Sequence, residues 1–445
     1  MTKKRLTSYL LLLLSGSLSV FWGVSLQRTA PARALDFKLL YFAARCASQQ
    51  CDPYQSTQIE RFFQAQERDR SLDSTIRRVE THLTYPPTIF SVVAPFALLP
   101  WETARVLWLI VSAVCLLIAA YLMWHLGAKY APDPVLLLIC FLIANCQIIF
   151  LTENAAGLAV SLCIIAAWCM VENRFVAVGV LCLALSLIIK PHDAGFVWLF
   201  FLLAGASHRK RAIQTLLLAV VLSVPAIVWI SHVSPHWAQE WNSNLAITAG
   251  RGDTSDPGPS SVTGHTPNMI ISLQTIFSLI QDEPHFYNTA TYLVFAPLFL
   301  LWAFKVVRDR FSQESSWMAF AAIVPLTMLV TYHRPYDAKL LLLAIPACAM
   351  LWAKGGKVAR WAFALTSAGV FFTADIPLGM IVVFAERLHL EPIGLMGKAL
   401  TILLDRPAPL VLLAMSIFYL TVYLRSVAYK PASEHARLEN VEGQA

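Results

Sequence analysis

The chain reads as an all-α polytopic membrane protein, and three observations say so. Of its 445 residues, 57% are hydrophobic and only 14% charged, against roughly half and a quarter in soluble domains. Apolar runs of about twenty residues, the length that crosses the hydrocarbon core as a helix, recur from Leu6 to Leu424 with mostly short polar breaks. Lys and Arg gather at alternate ends of these runs, as in a chain threaded back and forth through a bilayer.

In order, the predicted spans are 6–26, 103–125, 134–151, 155–171, 174–190, 193–206, 212–232, 286–304, 316–332, 338–353, 360–384 and 407–426. That gives about twelve crossings, several short enough to be tilted, broken or merged. If they alternate, Lys3-Lys4-Arg5, Lys129, Arg174, His208-Arg209-Lys210-Arg211, Lys305 with Arg308 and Arg310, Lys354 with Lys357 and Arg360, and Arg425 with Lys430 share one side. By the positive-inside rule that side is the cytoplasm, and it also takes both termini: the tip of segment 1–26 and a tail over 427–445. The net charge of +7 follows from this asymmetry and gives no reason to invoke nucleic acid.

Two long segments then lie outside, 27–102 and 233–285, separated by the spans of 103–232 and followed by those of 286–426. External loops of this length with their own aromatic residues are usually functional. Within the first, the proline-bounded apolar stretch Pro86 to Pro100 is about fifteen residues long, marginal for a span, and reads as an interfacial or re-entrant element. The basic start, apolar run and Ala32-Arg33-Ala34 imitate a signal peptide with its cleavage site. The apolar run is long for that, so an uncleaved anchor is expected; either outcome leaves Asp36 outside. Seven of the nine cysteines lie in apolar spans as small hydrophobes. Cys46 and Cys51 lie in the external loop, as a local disulfide or as two free thiols.

Asp36 is a carboxylate at the water boundary, opening the aromatic-rich segment Asp36-Phe37-Lys38-Leu39-Leu40-Tyr41. Such a group can take a proton from a hydroxyl that attacks a lipid-borne group. The plainer reading is an N-cap for a helix beginning at Phe37. Asp52, in Asp-Pro-Tyr, reads as a turn former.

Lys190-Pro191-His192-Asp193 lies at the outer mouth of two spans, where the lysine either holds a phosphate as a point charge or snorkels. No metal set is read there: His192 and Asp193 are neighbours, and no other His is spaced to help. Tyr332-His333-Arg334-Pro335-Tyr336-Asp337-Ala338-Lys339 is the densest late polar cluster. Within it His333 could relay a proton and Arg334 could grip phosphate with its planar fork; a charged interhelical loop is the alternative.

Glu153 and Asn154, at another outer turn, are candidates for binding sugar hydroxyls. Trp237 and Trp241 share a helical face, suited to the interfacial aromatic belt or to stacking on sugar. The turn-rich segment Gly250 to Ser261 reads as a mobile loop that could order over an acceptor, or as a linker. Asp375, inside an apolar span, implies a partner. No Asp-x-Asp triplet and no phosphate-cradling glycine loop occurs, which disfavours a metal-dependent nucleotide-sugar enzyme.

Asp36-Phe37 with Tyr41 and Ala43-Ala44, Asp52-Pro53-Tyr54, Tyr85-Pro86-Pro87, Ala94-Pro95, Leu98-Leu99-Pro100, Asn154, Lys190-Pro191 and Tyr336 together resemble the polyprenyl-phosphate-mannose-dependent alpha-1,2-mannosyltransferases, integral-membrane members of the GT-C superfamily. The likeness covers roughly the first two hundred residues well and the rest in hydropathy. Two departures are Thr152-Glu153, where the family often has Gly-Gln, and the long charged insertion over 55–84.

The resemblance implies a GT-C-like bundle of about twelve transmembrane helices, with interfacial helices and a catalytic aspartate in the long first external loop. It implies an inverting transfer, at the outer face of the cell membrane, of mannose or another sugar from a polyprenyl phosphate to a hydroxyl of a lipid or glycan acceptor. Asp36 and His333 would be catalytic; Lys190, Arg334 and Lys339 would hold the donor phosphate; Tyr41, Glu153, Asn154, His192 and Trp237 would meet the acceptor or sugar. No cofactor is expected beyond the donor. A lipid or glycolipid flippase, or a ligase moving a lipid-linked glycan, is the competing reading. Flippases often carry paired repeats with broken helices, and no matching halves are evident.

Overall fold

The computed structural model describes residues 3–28, 34–66, 81–259, 270–309, 312–388 and 394–426, and every regular element among them is helical. Ala32, Arg33, Arg310, Lys430, Ser260 and Ser261, together with residues 67–80 of the charged insertion, lie outside the described residues.

Helix α1 (Lys3–Leu26) is followed by α2 (Leu35–Ser48), α3 (Ser56–Gln66), a 3-10 turn at Pro87–Ile89 and α4 (Phe90–Ala97). Next come α5 (Trp101–Gly127), α6 (Pro132–Ala144), α7 (Gln147–Thr152), α8 (Ala155–Val171), α9 (Val176–Ile189) and α10 (Pro191–Leu203). The long α11 (Ala206–Val233) leads to α12 (Trp237–Thr248), α13 (Gln274–Ile280), α14 (Pro284–Arg308) and α15 (Gln313–Val330). A 3-10 segment (Asp337–Ala344) then precedes α16 (Ile345–Lys354), α17 (Gly356–Phe372), α18 (Asp375–Arg387), α19 (Gly394–Leu400) and α20 (Pro407–Arg425).

Six segments are long and apolar enough to cross a membrane: Arg5–Leu26, Trp101–Gly127, Pro132–Thr152, Ser207–Val233, Pro284–Arg308 and Pro407–Arg425. A seventh results if α17 and the start of α18, which meet at 69°, form one broken span. The expected count of about twelve is therefore not confirmed, because the expected spans at 155–171, 174–190 and 193–206 are the shorter helices α8, α9 and α10, and that at 338–353 is part 3-10.

Of these, α8 is central. Every residue of α8 is buried, as is α15 from Ser316 to Val330. Around them the long helices turn large apolar side chains outward: Leu14 and Phe21 on α1, Val221 on α11, Leu293 and Leu300 on α14. Contiguous apolar faces of that size suit lipid rather than water, so the chain is a multi-pass membrane protein.

The basic ends of the helices meet. Arg211 donates to the Met170 carbonyl at 2.9 Å, Gln313 to Glu172 at 3.5 Å and Lys305 to the Ser426 carbonyl at 2.9 Å, while Lys354 pairs with Glu314. The Lys and Arg asymmetry read from sequence thus has a counterpart in one face of the bundle. At the other end α2, α4 and α12 cap the helices; Cys46 is bonded to Cys51, and Asp52 accepts from the Tyr54 amide at 2.9 Å, as a turn former should.

Two helix breaks are tied together by one buried ion pair. Lys339 donates to the Asn145 carbonyl at 2.8 Å, in the break between α6 and α7, and to the Thr373 carbonyl at 3.4 Å, in the break between α17 and α18. It also faces Asp375 at 3.5 Å, whose other oxygen accepts from the Ile148 amide at 2.7 Å. A carboxylate and an ammonium satisfy backbone groups that the broken helices leave open. This explains Asp375 inside an apolar run. It also corrects the expectation for Lys339: its ammonium is committed to this knot rather than turned to a donor phosphate.

Lys339→Met should leave Asp375 buried without its counter-charge and destabilise the protein by about 3–5 kcal/mol, read as earlier thermal unfolding in detergent. Lys339→Met combined with Asp375→Leu should recover most of that loss. Equal stability of the single and double variants would show that the pair is not what joins the breaks.

Candidate functional site

Five segments distant in sequence bring polar groups together at the end of the bundle opposite the basic face: the start of α2, the stretch before Pro86, the α7–α8 and α9–α10 junctions, and the turn after α15. Asp36 is not the N-cap of α2. The helix begins at Leu35, after Ala34 in the left-handed region (φ 51°), and Ala34 donates its amide to the Leu151 carbonyl at 2.8 Å. That bond ties the start of α2 to the end of α7 and sets Asp36 in the first turn, half-buried.

There Asp36 Oδ2 accepts from Asn154 Nδ2 at 2.8 Å, and Asn154 Oδ1 in turn caps α8 by accepting the Ala156 amide at 2.8 Å. The carboxylate is therefore positioned by the N-cap of a fully buried helix. The capping reading of Asp36 is thereby replaced, and both polar atoms of Asn154, expected at sugar hydroxyls, are in use.

Glu153, also expected at sugar, buttresses this junction. It adopts a left-handed backbone (φ 55°), its Oε1 accepts from Arg105 at 2.7 Å and from Gln27 at 2.9 Å, and its carbonyl accepts from Trp108 at 3.0 Å. Burial pushes its carboxyl up to about 7, against the pull of Arg105. These bonds clamp α1, α5 and α8 together.

Lys190 closes α9 and is buried. It pairs with Asp337, lies 3.6 Å from Asp193 Oδ2, and sits 4.8 Å above the Tyr336 ring. The other Asp337 oxygen accepts the Arg334 amide at 2.8 Å, which folds the turn after α15. Burial, and then the neighbouring Asp193, push the Asp337 carboxyl above its ordinary value.

The Arg334 guanidinium donates to the Thr254 carbonyl at 3.1 Å and lies 5.4 Å from the Tyr332 ring. Burial pulls against its charge, but Tyr332, Tyr336 and Asp36 more than offset that and raise it. Over 250–259 the loop read as mobile folds into turns in which Asp256 accepts the Gly252 amide at 2.9 Å and the Gly258 amide at 2.8 Å; its Thr254 carbonyl meets Arg334.

His333 is 1% exposed. Its Nδ1 faces the Thr331 carbonyl at 3.3 Å and its Nε2 lies 3.5 Å from Asp193 Oδ1. The His192 ring stands edge-on to His333 with centroids 5.0 Å apart. The third imidazole-site member that spacing alone did not offer is supplied by the fold, across 140 residues of chain.

Two candidates stand apart from these contacts. The Tyr41 hydroxyl donates to the Leu99 carbonyl at 2.7 Å and accepts from Arg45 at 2.9 Å, inside an aromatic cluster with Phe37, Phe42 and Trp101. Trp237 donates to Ser231 at 3.0 Å and neighbours Tyr54 and Trp241; Trp241 donates to the Thr84 carbonyl at 2.8 Å, which seats α12 on the first external segment. An apolar crevice of ≈ 360 Å³ between α6 and α17, lined by Leu137, Phe141 and Phe371 among others, shares no residue with the polar cluster.

Sequence reasoning missed Tyr85, Asp193 and Asp337 as site members. Tyr85 is the most central: burial first, and then the charges of Asp36, Asp337 and Asp193, push its phenol well above the ordinary range. Only its place in Tyr85-Pro86-Pro87 singled it out. The assembled site offers a carboxylate aligned by an amide, a lysine paired with Asp337, an arginine on the same turn as Asp337, and a buried imidazole beside a carboxylate. These are the parts that proton removal from a hydroxyl and stabilisation of a departing anion require.

The model of glycosyltransferase family 87 matches residues 83–332. That interval contains Tyr85, Asn154, Lys190, His192 and Asp193, ends one residue before His333, and leaves Asp36 outside. No curated protein and no solved structure matches. With more than half of its 445 residues matched by the family, the chain belongs to glycosyltransferase family 87 and is a membrane-embedded glycosyltransferase.

Proposed function

We propose that the enzyme transfers a sugar, mannose by the resemblance noted above, from a polyprenyl phosphate to a hydroxyl of a lipid or glycan acceptor, with inversion at the anomeric carbon. The observation that carries this reading is the placement of Asp36: half-buried, aligned by Asn154 and facing the charge of Arg334. Asp36 removes the acceptor proton as the hydroxyl attacks. Arg334 and Lys190 receive the negative charge that grows on the departing lipid phosphate.

On this reading the bundle is GT-C-like with about twelve crossings, both termini are cytoplasmic, and the cluster faces the periplasm or exterior of the cell membrane. The meeting of the basic helix ends opposite the cluster favours that orientation. A donor whose energy lies in its own lipid phosphate bond also suits a chain without an Asp-x-Asp triplet.

Protein reconstituted in vesicles with radiolabelled polyprenyl phosphate mannose should form a labelled product with an added acceptor lipid; movement of label across the bilayer without bond formation would support the flippase instead. Asp36→Asn keeps the bond to Asn154 but removes the base. It should cut turnover by about 10²–10⁴-fold, the usual worth of a general base, with an unchanged elution profile in detergent. Turnover near that of the unsubstituted enzyme would remove Asp36 from the chemistry. Arg334→Ala should cost about 10²–10³-fold in turnover, as loss of one stabilising donor does, and Arg334→Lys less; equal losses would show that the planar fork rather than its charge is needed.

A further inference from the structure

We propose that His192, Asp193 and His333 bind one divalent transition-metal ion of the zinc type. Their ligand atoms all lie within 4.8 Å of one another, with Asp193 Oδ1 3.5 Å from His333 Nε2 and 3.9 Å from His192 Nε2. A tetrahedral zinc with bonds of about 2.0–2.1 Å spaces its ligands about 3.3 Å apart. The two pairs to Asp193 close by a few tenths of an ångström and the pair of histidines by at most about 1.5 Å, a movement within the reach of side-chain rotation.

The second observation is that these atoms make no hydrogen bond, although Asp193 Oδ2 faces Lys190 at 3.6 Å. Neither His192 Nε2, His333 Nε2 nor either oxygen of Asp193 has a hydrogen bond among the described residues, although Asp193 and His333 are each 1% exposed. Buried acceptors left in that state are rare and costly, and a cation on Asp193 Oδ1 and the two ring nitrogens would satisfy three of the four. His333 is already set for the task. Its Nδ1 faces the Thr331 carbonyl at 3.3 Å, and an N–H donated there fixes the tautomer that leaves the Nε2 lone pair free, the usual support of a ligating histidine.

Charge points the same way. Three carboxylates, Asp36, Asp193 and Asp337, face two cations, Lys190 and Arg334, so with neutral imidazoles the cluster holds one uncompensated negative charge. Lys190 lies toward Asp193 Oδ2, leaving Oδ1 toward the histidines. Two imidazoles and one carboxylate favour zinc or a similar transition ion over magnesium. The His192 side chain is 39% exposed, which gives the ion a path, and three protein ligands leave a fourth position for water or an anionic oxygen.

The test does not depend on the donor or acceptor. Tag-free full-length protein in non-ionic detergent is equilibrated with Zn²⁺, desalted and assayed for metal by mass spectrometry, with Zn²⁺ and Mg²⁺ titrations alongside. One zinc per chain is expected, and His192→Ala should weaken zinc binding by at least about 100-fold, the upper end of what losing only a supporting residue costs. His192→Gln serves as the second variant, with unchanged thermal unfolding of the metal-free protein as the check on folding. The proposal is overturned if the unsubstituted protein holds no zinc, or if a folded His192 variant holds as much, which would assign the metal to the free cysteines or to the surface.

Discussion

The bond between Asn154 and Asp36 is the constraint on which the site depends. Asp36 sits in the first turn of α2, and nothing in that helix's own sequence fixes where its carboxylate points. Asn154 supplies the registration because it is itself the N-cap of α8, buried along its whole length. Behind it, Glu153 is gripped by Gln27 and Arg105, and the Ala34 amide reaches Leu151. One end of that chain of contacts is core packing; the other is the carboxylate. A carboxylate on a peripheral helix is thereby held to the tolerance of the interior.

The α9–α10 junction solves a different problem. Lys190, Asp193 and Asp337 are all buried, and an isolated ion at that depth would be severely destabilised. They persist because each is placed within reach of another: Lys190 between two carboxylates and over an aromatic face, and Asp337 accepting a backbone amide as well. Such an arrangement is preorganised. Fixed charge of this kind is where an enzyme gains most, because it need not reorganise during a reaction.

Much of the architecture was legible in hydropathy, because burial in lipid is written as composition over long windows. The exposed faces of α1, α11 and α14 and the meeting of basic helix ends follow from it. Windowed hydropathy cannot separate a crossing from a buried apolar helix of fifteen residues, so α8, α9 and α10 read as spans of the same standing as α5. Nor can it see a break that costs only a few residues: Asn145 and Thr373 interrupt apolar runs, and their explanation, Lys339 with Asp375, joins positions 36 apart with backbone groups elsewhere.

The site was legible residue by residue but not as an assembly. Asp36, Lys190, His333 and Arg334 stand out as polar groups beside apolar runs; the contact of His333 with Asp193 could not be read from spacing, because it depends on which helix ends are neighbours. Glu153, Tyr41 and Lys339 look the same in sequence, and their bonds are internal.

The helices that end at the site are short ones: α8 and α10 have 17 and 13 residues, about 26 and 20 Å at 1.5 Å per residue, while α5 and α11 have 27 and 28. The N-termini of α8 and α10 both lie at the polar cluster, and the partial positive charge of such ends favours anions. Asp193 in the first turn of α10 and Asp36 against the cap of α8 already exploit it. Charged groups can be kept there, at the edge of an apolar medium, because the backbone itself contributes to their solvation.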